Sequence, residues 1–123
     1  MTQLSESQIS PQVVQVLEAE GCQLWRNNVG AFKRRGCWIS FGIGGKGGAD
    51  YLGYKPVRIT QEMVGSIVAV FVAAEVKKPT GKIAPEQVTF IRNAQAAGAI
   101  AGFCHSWEQG RELVKAWFAR FKP

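Results

Sequence analysis

No stretch of the sequence stays apolar over the roughly 20 residues that a membrane-spanning helix needs. The apolar run at residues 67–74 is far shorter, and the first residues do not read as a secretory signal. These absences argue against membrane-embedded and exported classes of protein. We therefore expect a cytoplasmic protein without a membrane partner.

Cysteine and histidine are also scarce. The cysteines are Cys22, Cys37 and Cys104, and His105 is the single histidine. An odd number of cysteines without paired CxxC spacing predicts free thiols in a reducing compartment. Cys104-His105 lacks partners at zinc-ligand spacing, so neither a zinc site nor a catalytic role for His105 is predicted.

Acidic residues are outnumbered: nine acids stand against 15 basic residues, giving a net charge of +6 and a pI near 9.6. Between Arg26 and Arg58, Asp50 is the single acid among seven basic residues. This excess favours a polyanionic partner such as nucleic acid. The alternative is a solvated basic face in which Asp50 is a turn residue.

Start and stop signals predict three helices. Ser10-Pro11 reads as a helix start, with Gly21 as the stop. Pro85 begins a second helix that runs to about Ala97, before Gly98. Ser106-Trp107-Glu108-Gln109 is a capping-box start for the third.

Two further segments predict the centre of a sheet. Residues 67–74 have the composition of a strand buried on both faces, and residues 99–104 form a second strand, expected to lie parallel to the first. A chain of 123 residues is long enough for one core. We therefore expect one domain over residues 1–123, an α/β fold with a small mixed central sheet flanked by helices.

The predicted central strand delivers Glu75-Val76-Lys77. Residues two apart on a strand share a face, so Glu75 and Lys77 project together. Asp50 precedes another short apolar stretch, and a hairpin joining the two strands would bring both acids to one end. Neighbouring carboxylates attract a hard cation, Mg²⁺ or Mn²⁺. An ordinary ion pair at a strand end is the alternative for Glu75 and Lys77.

Two segments before Asp50 are predicted to contact phosphates. Lys33-Arg34-Arg35 is expected to be a loop whose arginines grip phosphate groups. The glycine-rich residues 42–53 are expected to form a flexible loop beside the substrate, with a plain hairpin turn as the alternative. Arg26 is either a structural salt-bridge partner or a phosphate contact.

Four segments carry a family resemblance: residues 26–30, the glycine-rich segment before Asp50, residues 75–81, and Pro85-Glu86-Gln87. In this order they resemble the VRR-NUC family of the PD-(D/E)XK nuclease superfamily, over most of the chain. The resemblance implies a restriction-endonuclease-like core. Ala49 stands where the superfamily signature has proline, a residue that donates no metal ligand.

The resemblance also implies roles for individual residues. Asp50, Glu75 and the backbone carbonyl of Val76 would hold Mg²⁺ or Mn²⁺, Lys77 would orient or activate the attacking water, and Gln87 would support it. A glutamate of the first helix often completes the family's metal site; Glu6 is the candidate, with Glu18 and Glu20 as alternatives. The expected nucleic-acid-binding residues are Arg26, Asn28, Lys33, Arg34, Arg35, Lys46, Lys78 and Lys82.

Stand-alone members of this family are similar to Holliday-junction resolvases, which act as homodimers on four-way DNA junctions. The resemblance thus implies a structure-selective DNA endonuclease of a bacterial or phage-infected cell. Cleavage of linear or flapped DNA is an alternative within the same class. A catalytically silent nucleic-acid-binding module and a hydrolase of small phosphates are alternatives of other classes.

Overall fold

The computed structural model describes residues 3–121, which form two compact units that divide between Pro56 and Val57. The described residues hold three α-helices and six strands, and the strands form three sheets of two strands each. The prediction of an α/β fold is confirmed at this level. A single domain over the whole chain stays a prediction, and each unit is described by itself below.

The first unit contains one helix and four strands, and its strands pair antiparallel as β1 with β4 and β2 with β3. The elements are α1 (Glu6–Ala19), β1 (Gln23–Arg26), β2 (Gly30–Arg34), β3 (Cys37–Phe41) and β4 (Tyr51–Tyr54).

Helix α1 begins earlier than the sequence predicts. Its first residue is Glu6, and Pro11 lies inside it, so the predicted start at Ser10-Pro11 is wrong. The backbone N–H of Ser5 donates to Gln8 Oε1 at 2.9 Å, which closes the first turn before the proline is reached. Pro11 then removes one backbone donor from the helix, which continues through it.

The basic segment at residues 33–35 is not a loop, contrary to the prediction. Lys33 and Arg34 are the last residues of β2, and Arg35 with Gly36 forms the turn to β3. Both turn residues have positive φ, 51° and 80°, the signature of a type I′ hairpin turn. Pairing with residues 37–41 thus continues the strand through Lys33 and Arg34 despite their charge.

The second unit contains a short 3₁₀ helix, two strands and two helices. The strands pair parallel, with Val72 opposite Ile100 and Val76 opposite Cys104, which confirms the predicted orientation. The elements are the 3₁₀ helix (Gln61–Met63), β5 (Val72–Val76), α2 (Pro85–Ala96), β6 (Ile100–Cys104) and α3 (Trp107–Ala119).

The core of this unit lies between α2 and the β5–β6 sheet. Ile91, Ala94, Ala99 and Ala101 are buried, and Phe71, Ala73 and Phe103 pack against them. Helix α3 packs close to β6, where a side chain on Gly102 would lie only 2.5 Å from Leu113 Cδ2. The predicted starts of α2 at Pro85 and of α3 after Ser106 are both confirmed.

Strand β5 differs from the prediction of a strand buried on both faces. It begins only at Val72, and its residues alternate: Ala73 and Glu75 are half-buried, whereas Val72 and Val76 are 59% and 74% exposed. Strand β5 pairs with β6, and β4 pairs with β1. The predicted hairpin joining the Asp50 and Glu75 strands is therefore wrong. The helical crossover α2 favours the parallel partner instead.

Within residues 3–121, no helix has both the length and the apolar character needed to cross a bilayer.

Candidate functional site

The end of β5 gathers a small polar cluster. Glu75 and Lys77 lie on the half-buried side of the strand, with Lys77 Nζ 3.8 Å from Glu75 Oε1. Their side chains are 34% and 23% exposed, so both are partly shielded from water yet open to a ligand. The i, i+2 spacing predicts this shared face, and tertiary packing of α2 supplies the shielding.

Gln87 joins this cluster from the first turn of α2. Its Oε1 accepts the backbone N–H of Ala84 at 3.0 Å, and its Nε2 donates to Glu75 Oε1 at 2.8 Å. The first contact caps the helix, and the second fixes the orientation of the Glu75 carboxylate. One side chain therefore links the start of α2 to the end of β5.

The direction of one backbone oxygen at the end of β5 follows from a neighbouring hydrogen bond. The peptide between Val76 and Lys77 donates its N–H to the Cys104 carbonyl at 3.0 Å. Since the two polar groups of a strand peptide point in opposite directions, the Val76 carbonyl points away from β6. It faces the edge of β5 that has no partner strand in the β5–β6 sheet.

The Glu75 carboxylate and the Val76 carbonyl are oxygen ligands that suit a hard cation. A carboxylate and a backbone carbonyl are ligands that Mg²⁺ and Mn²⁺ accept, and Mg²⁺ usually needs only one or two carboxylates because waters and phosphate oxygens complete its shell. Residues 3–121 contain no cluster of three or more His, Cys, Asp or Glu side chains poised around a metal position. Within the second unit, the candidate ligands are therefore Glu75 and the carbonyl of Val76.

In the first unit, Asn27 organises the segment around Asp50. Asn27 is buried; its Nδ2 donates to the carbonyls of Ile43 and Ala49 at 2.8 and 2.9 Å, and its Oδ1 accepts the Ile43 N–H at 2.9 Å. Its own N–H donates to the Asp50 carbonyl at 2.7 Å. One side chain thus ties together both ends of the glycine-rich loop, and the Asp50 side chain remains exposed.

Asn27 is a residue that the sequence did not predict. The predicted contacts with phosphate are its neighbours, Arg26 and Asn28. No local pattern marks Asn27, because the partners of its side chain, Ile43 and Ala49, lie 16 and 22 residues further along the chain.

Arg26 is held by its own surroundings. Its Nε donates to Asn28 Oδ1 at 3.1 Å, its Nη1 lies 3.5 Å from the Tyr51 hydroxyl, and its guanidinium stands 5.3 Å from the Tyr51 ring centroid. The guanidinium is therefore positioned beside the residue that follows Asp50.

The other predicted site residues are distributed over both units. Glu6 is the exposed first residue of α1. All eight predicted nucleic-acid-binding side chains are exposed. Six lie in the first unit: Arg26, Asn28, Lys33, Arg34, Arg35 and Lys46. The other two, Lys78 and Lys82, lie in the second unit. The structure brings together Glu75, Lys77 and Gln87, and separately Arg26 and Asn28.

Comparison of the chain with protein-family models, with curated proteins and with solved structures yields no match.

Proposed function

We propose that this protein is a DNA endonuclease that uses Mg²⁺ or Mn²⁺ and has a restriction-endonuclease-like core. The observation that carries the proposal is the Glu75, Lys77 and Gln87 cluster, together with the Val76 carbonyl directed away from β6. The net charge of +6 and the exposed basic side chains suit a polyanionic substrate.

Each residue of the cluster has a distinct task in this reaction. Glu75 and the Val76 carbonyl would hold the cation, which when bound would polarise the phosphate and acidify a water. Gln87 keeps the Glu75 carboxylate in one orientation through its 2.8 Å hydrogen bond. Lys77 donates hydrogen bonds to the attacking water or to the phosphate oxygens, where negative charge develops.

Asp50 is the second carboxylate that the resemblance assigns to the cation, and Glu6 the third. Asp50 follows a loop that Asn27 holds in place, so its backbone is fixed while its side chain is exposed. Substitution of Asp50 tests directly whether its carboxylate contributes to cleavage.

The proposed substrate is branched DNA, a four-way junction or a flap, cut by a homodimer. A four-way junction has an approximate dyad, which a two-fold dimer matches. Sedimentation should therefore give a mass of twice 13.5 kDa.

The test is cleavage of a labelled four-way junction, a flapped duplex and a matched linear duplex, each with Mg²⁺, Mn²⁺ or EDTA. Lys77→Met, Glu75→Gln and Asp50→Asn should each reduce metal-dependent cleavage by about 100-fold or more. Lys115→Met is the matched control, because Lys115 forms an exposed ion pair with Glu112 at 3.5 Å and lies outside the cluster. Cleavage by Lys77→Met at the wild-type rate would contradict the proposal.

Metal binding is measured separately from activity. Calorimetric titration with Mn²⁺ should give a binding heat that Glu75→Gln removes and Lys115→Met retains. Equal heats in both variants would place the cation elsewhere.

A second candidate function is a catalytically silent nucleic-acid-binding module. The observation in its favour is that Glu75 already has two partners, Lys77 and Gln87, as a purely structural ion pair at a strand end would have. Tight DNA binding without cleavage of any of the three substrates, unchanged by Glu75→Gln, would favour this function.

A further inference from the structure

The β2–β3 hairpin has an unusual composition for an exposed ribbon. Every residue from 31 to 41 is exposed, and the hairpin carries three cations and no acid. It also carries four large apolar side chains, Phe32, Trp38, Ile39 and Phe41. The cluster at Glu75 and the loop held by Asn27 do not include this segment.

The two faces of the hairpin differ. On one face Phe32 lies opposite Ile39, and the Phe32 and Phe41 rings contact each other with centroids 6.2 Å apart. On the other face Lys33 lies directly opposite Trp38, with Ala31 opposite Ser40. The second face thus pairs one cation with one indole that is 71% exposed, among small and polar neighbours.

The turn of the hairpin carries a further cation, Arg35, in an unfavourable backbone conformation. Arg35 has a φ of 51°, a left-handed conformation that is unfavourable for a residue with a Cβ and that asparagine and glycine adopt more readily. Fold stability alone would favour either of those residues at this position. An arginine there extends the positive charge of Lys33 and Arg34 to the end of the ribbon.

We propose that the β2–β3 hairpin binds unpaired nucleotides of DNA, with Trp38 stacking on a base while Lys33, on the same face, and Arg35, in the turn, contact phosphates. Exposed aromatic rings interleaved with cations are the arrangement by which proteins hold single strands, since every base has a stacking face. Unpaired bases occur at the flaps and ends of branched DNA. The proposal does not depend on cleavage, because binding by the hairpin requires no metal.

Other partners fit the hairpin less well. A second copy of the hairpin would bring two sets of three cations together, which repel. A lipid surface is bound by an apolar face flanked by several cations, whereas the apolar face of Phe32, Ile39 and Phe41 carries a single cation, Arg34. Charge and composition therefore favour a single-stranded polyanion.

The experiment measures fluorescence anisotropy of labelled DNA in EDTA, with a thymidine strand of about 16 nucleotides and a duplex of the same length. Trp38→Ala should weaken binding of the single strand about tenfold, because stacking contributes the largest share per base. Trp38→Phe should restore binding to within about twofold of wild type, since a phenyl ring also stacks. Binding of the duplex should change less than binding of the single strand.

The matched control is Trp107→Ala. Trp107 is 68% exposed in the second unit, and the Arg111 guanidinium stands over its ring at 5.0 Å. This variant should bind the single strand as wild type does. The proposal would be overturned if Trp38→Ala bound the single strand as tightly as wild type, or if Trp107→Ala lost as much affinity as Trp38→Ala. It would also be overturned if Trp38→Ala weakened binding of the duplex as much as binding of the single strand.

A second variant separates recognition from folding. Lys33→Glu keeps the hairpin exposed but places a negative charge opposite Trp38, and should abolish binding of the single strand while circular dichroism stays unchanged. The same variants are tested against vesicles of anionic phospholipid. Binding to vesicles in place of DNA, with the same dependence on Trp38, would replace the proposal by a membrane-surface role.

Discussion

Gln87 Nε2 donates a hydrogen bond of 2.8 Å to Glu75 Oε1, while Gln87 Oε1 accepts the N–H of Ala84. Both ends of the amide are therefore used, which fixes its orientation. The same bonds hold the start of α2 against the end of β5. Gln87 thus connects the stability of the second unit to the geometry of its candidate site.

Replacing Gln87 by alanine should lower the free energy of unfolding by about 1–2 kcal/mol, because both the helix cap and the bond to Glu75 are lost. Gln87→Glu retains an acceptor for Ala84 but replaces the donor to Glu75 by a second carboxylate, whose repulsion should turn the Glu75 carboxylate away and reduce cleavage while the cap is preserved. Urea unfolding and junction cleavage of the two variants give the comparison.

Thr89→Ala is the control in the same helix, since Thr89 is exposed and its hydroxyl donates, among residues 3–121, to the Pro85 carbonyl alone. It should change the free energy of unfolding by less than about 0.5 kcal/mol. If Gln87→Ala is no less stable than Thr89→Ala, the two hydrogen bonds of Gln87 do not contribute as argued.

Asn27→Ala should destabilise the first unit by about 3 kcal/mol, because it leaves the Ile43 N–H and the Ile43 and Ala49 carbonyls without their partner. Asn28→Ala is the adjacent control: Asn28 is exposed and accepts a single bond from Arg26, so its loss should cost less than about 1 kcal/mol. The midpoints of urea unfolding measure both effects. Similar midpoints for the two variants would argue against a structural role for Asn27.

The sequence predicts local features of this chain better than long-range ones. The start of α2 at Pro85 and the cap of α3 at Ser106 depend on residues next to one another, and both predictions hold. The shared side of Glu75 and Lys77 follows from the period of a strand. Each of these features is set by a few consecutive residues.

Strand pairing and burial are set by distant residues, and there the predictions fail except for the parallel orientation of β5 and β6. Nothing in residues 67–74 indicates that α2 covers only one side of β5, leaving Val72 and Val76 exposed. Likewise, the charges of Lys33 and Arg34 suggest a loop, but the register with Trp38 and Cys37 makes them part of a ribbon. Asn27 was missed for the same reason, since its partners at Ile43 and Ala49 are distant in sequence.

Glu62 makes a contribution to the stability of the second unit that depends on pH. Hydrogen bonds from its own backbone N–H and from Thr60 lower the pKa of its carboxyl below 4.5. A lowered pKa in the folded state means that the stabilisation is present above the unfolded value and is lost as pH falls through the folded value.

Glu62→Gln should therefore lower the thermal midpoint at neutral pH and should have a smaller effect as the pH falls below 4.5. The measurement is thermal unfolding of both proteins across this range. Glu18→Gln, an exposed change of the same charge on α1, controls for net charge. A difference between Glu62→Gln and wild type that grows with acidity would contradict the assignment.

Arg35 is the position at which stability and the proposed DNA contact oppose each other. Its φ of 51° favours asparagine, so Arg35→Asn should stabilise the hairpin by about 1 kcal/mol. For a chain of this size such a gain corresponds to a rise of about 4 °C in the thermal midpoint. The same substitution removes a cation from the tip and should weaken binding of single-stranded DNA.

Two further variants separate the effects of conformation and charge. Arg35→Gln removes the charge without relieving the backbone, so it should lose the same affinity and gain no stability. Arg35→Lys retains the charge and should bind nearly as wild type does. If Arg35 contacts a phosphate, the slope of log affinity against log salt should fall by about 0.7 in both neutral variants. Equal slopes for Arg35→Gln and wild type would exclude that contact, whatever the change in thermal midpoint.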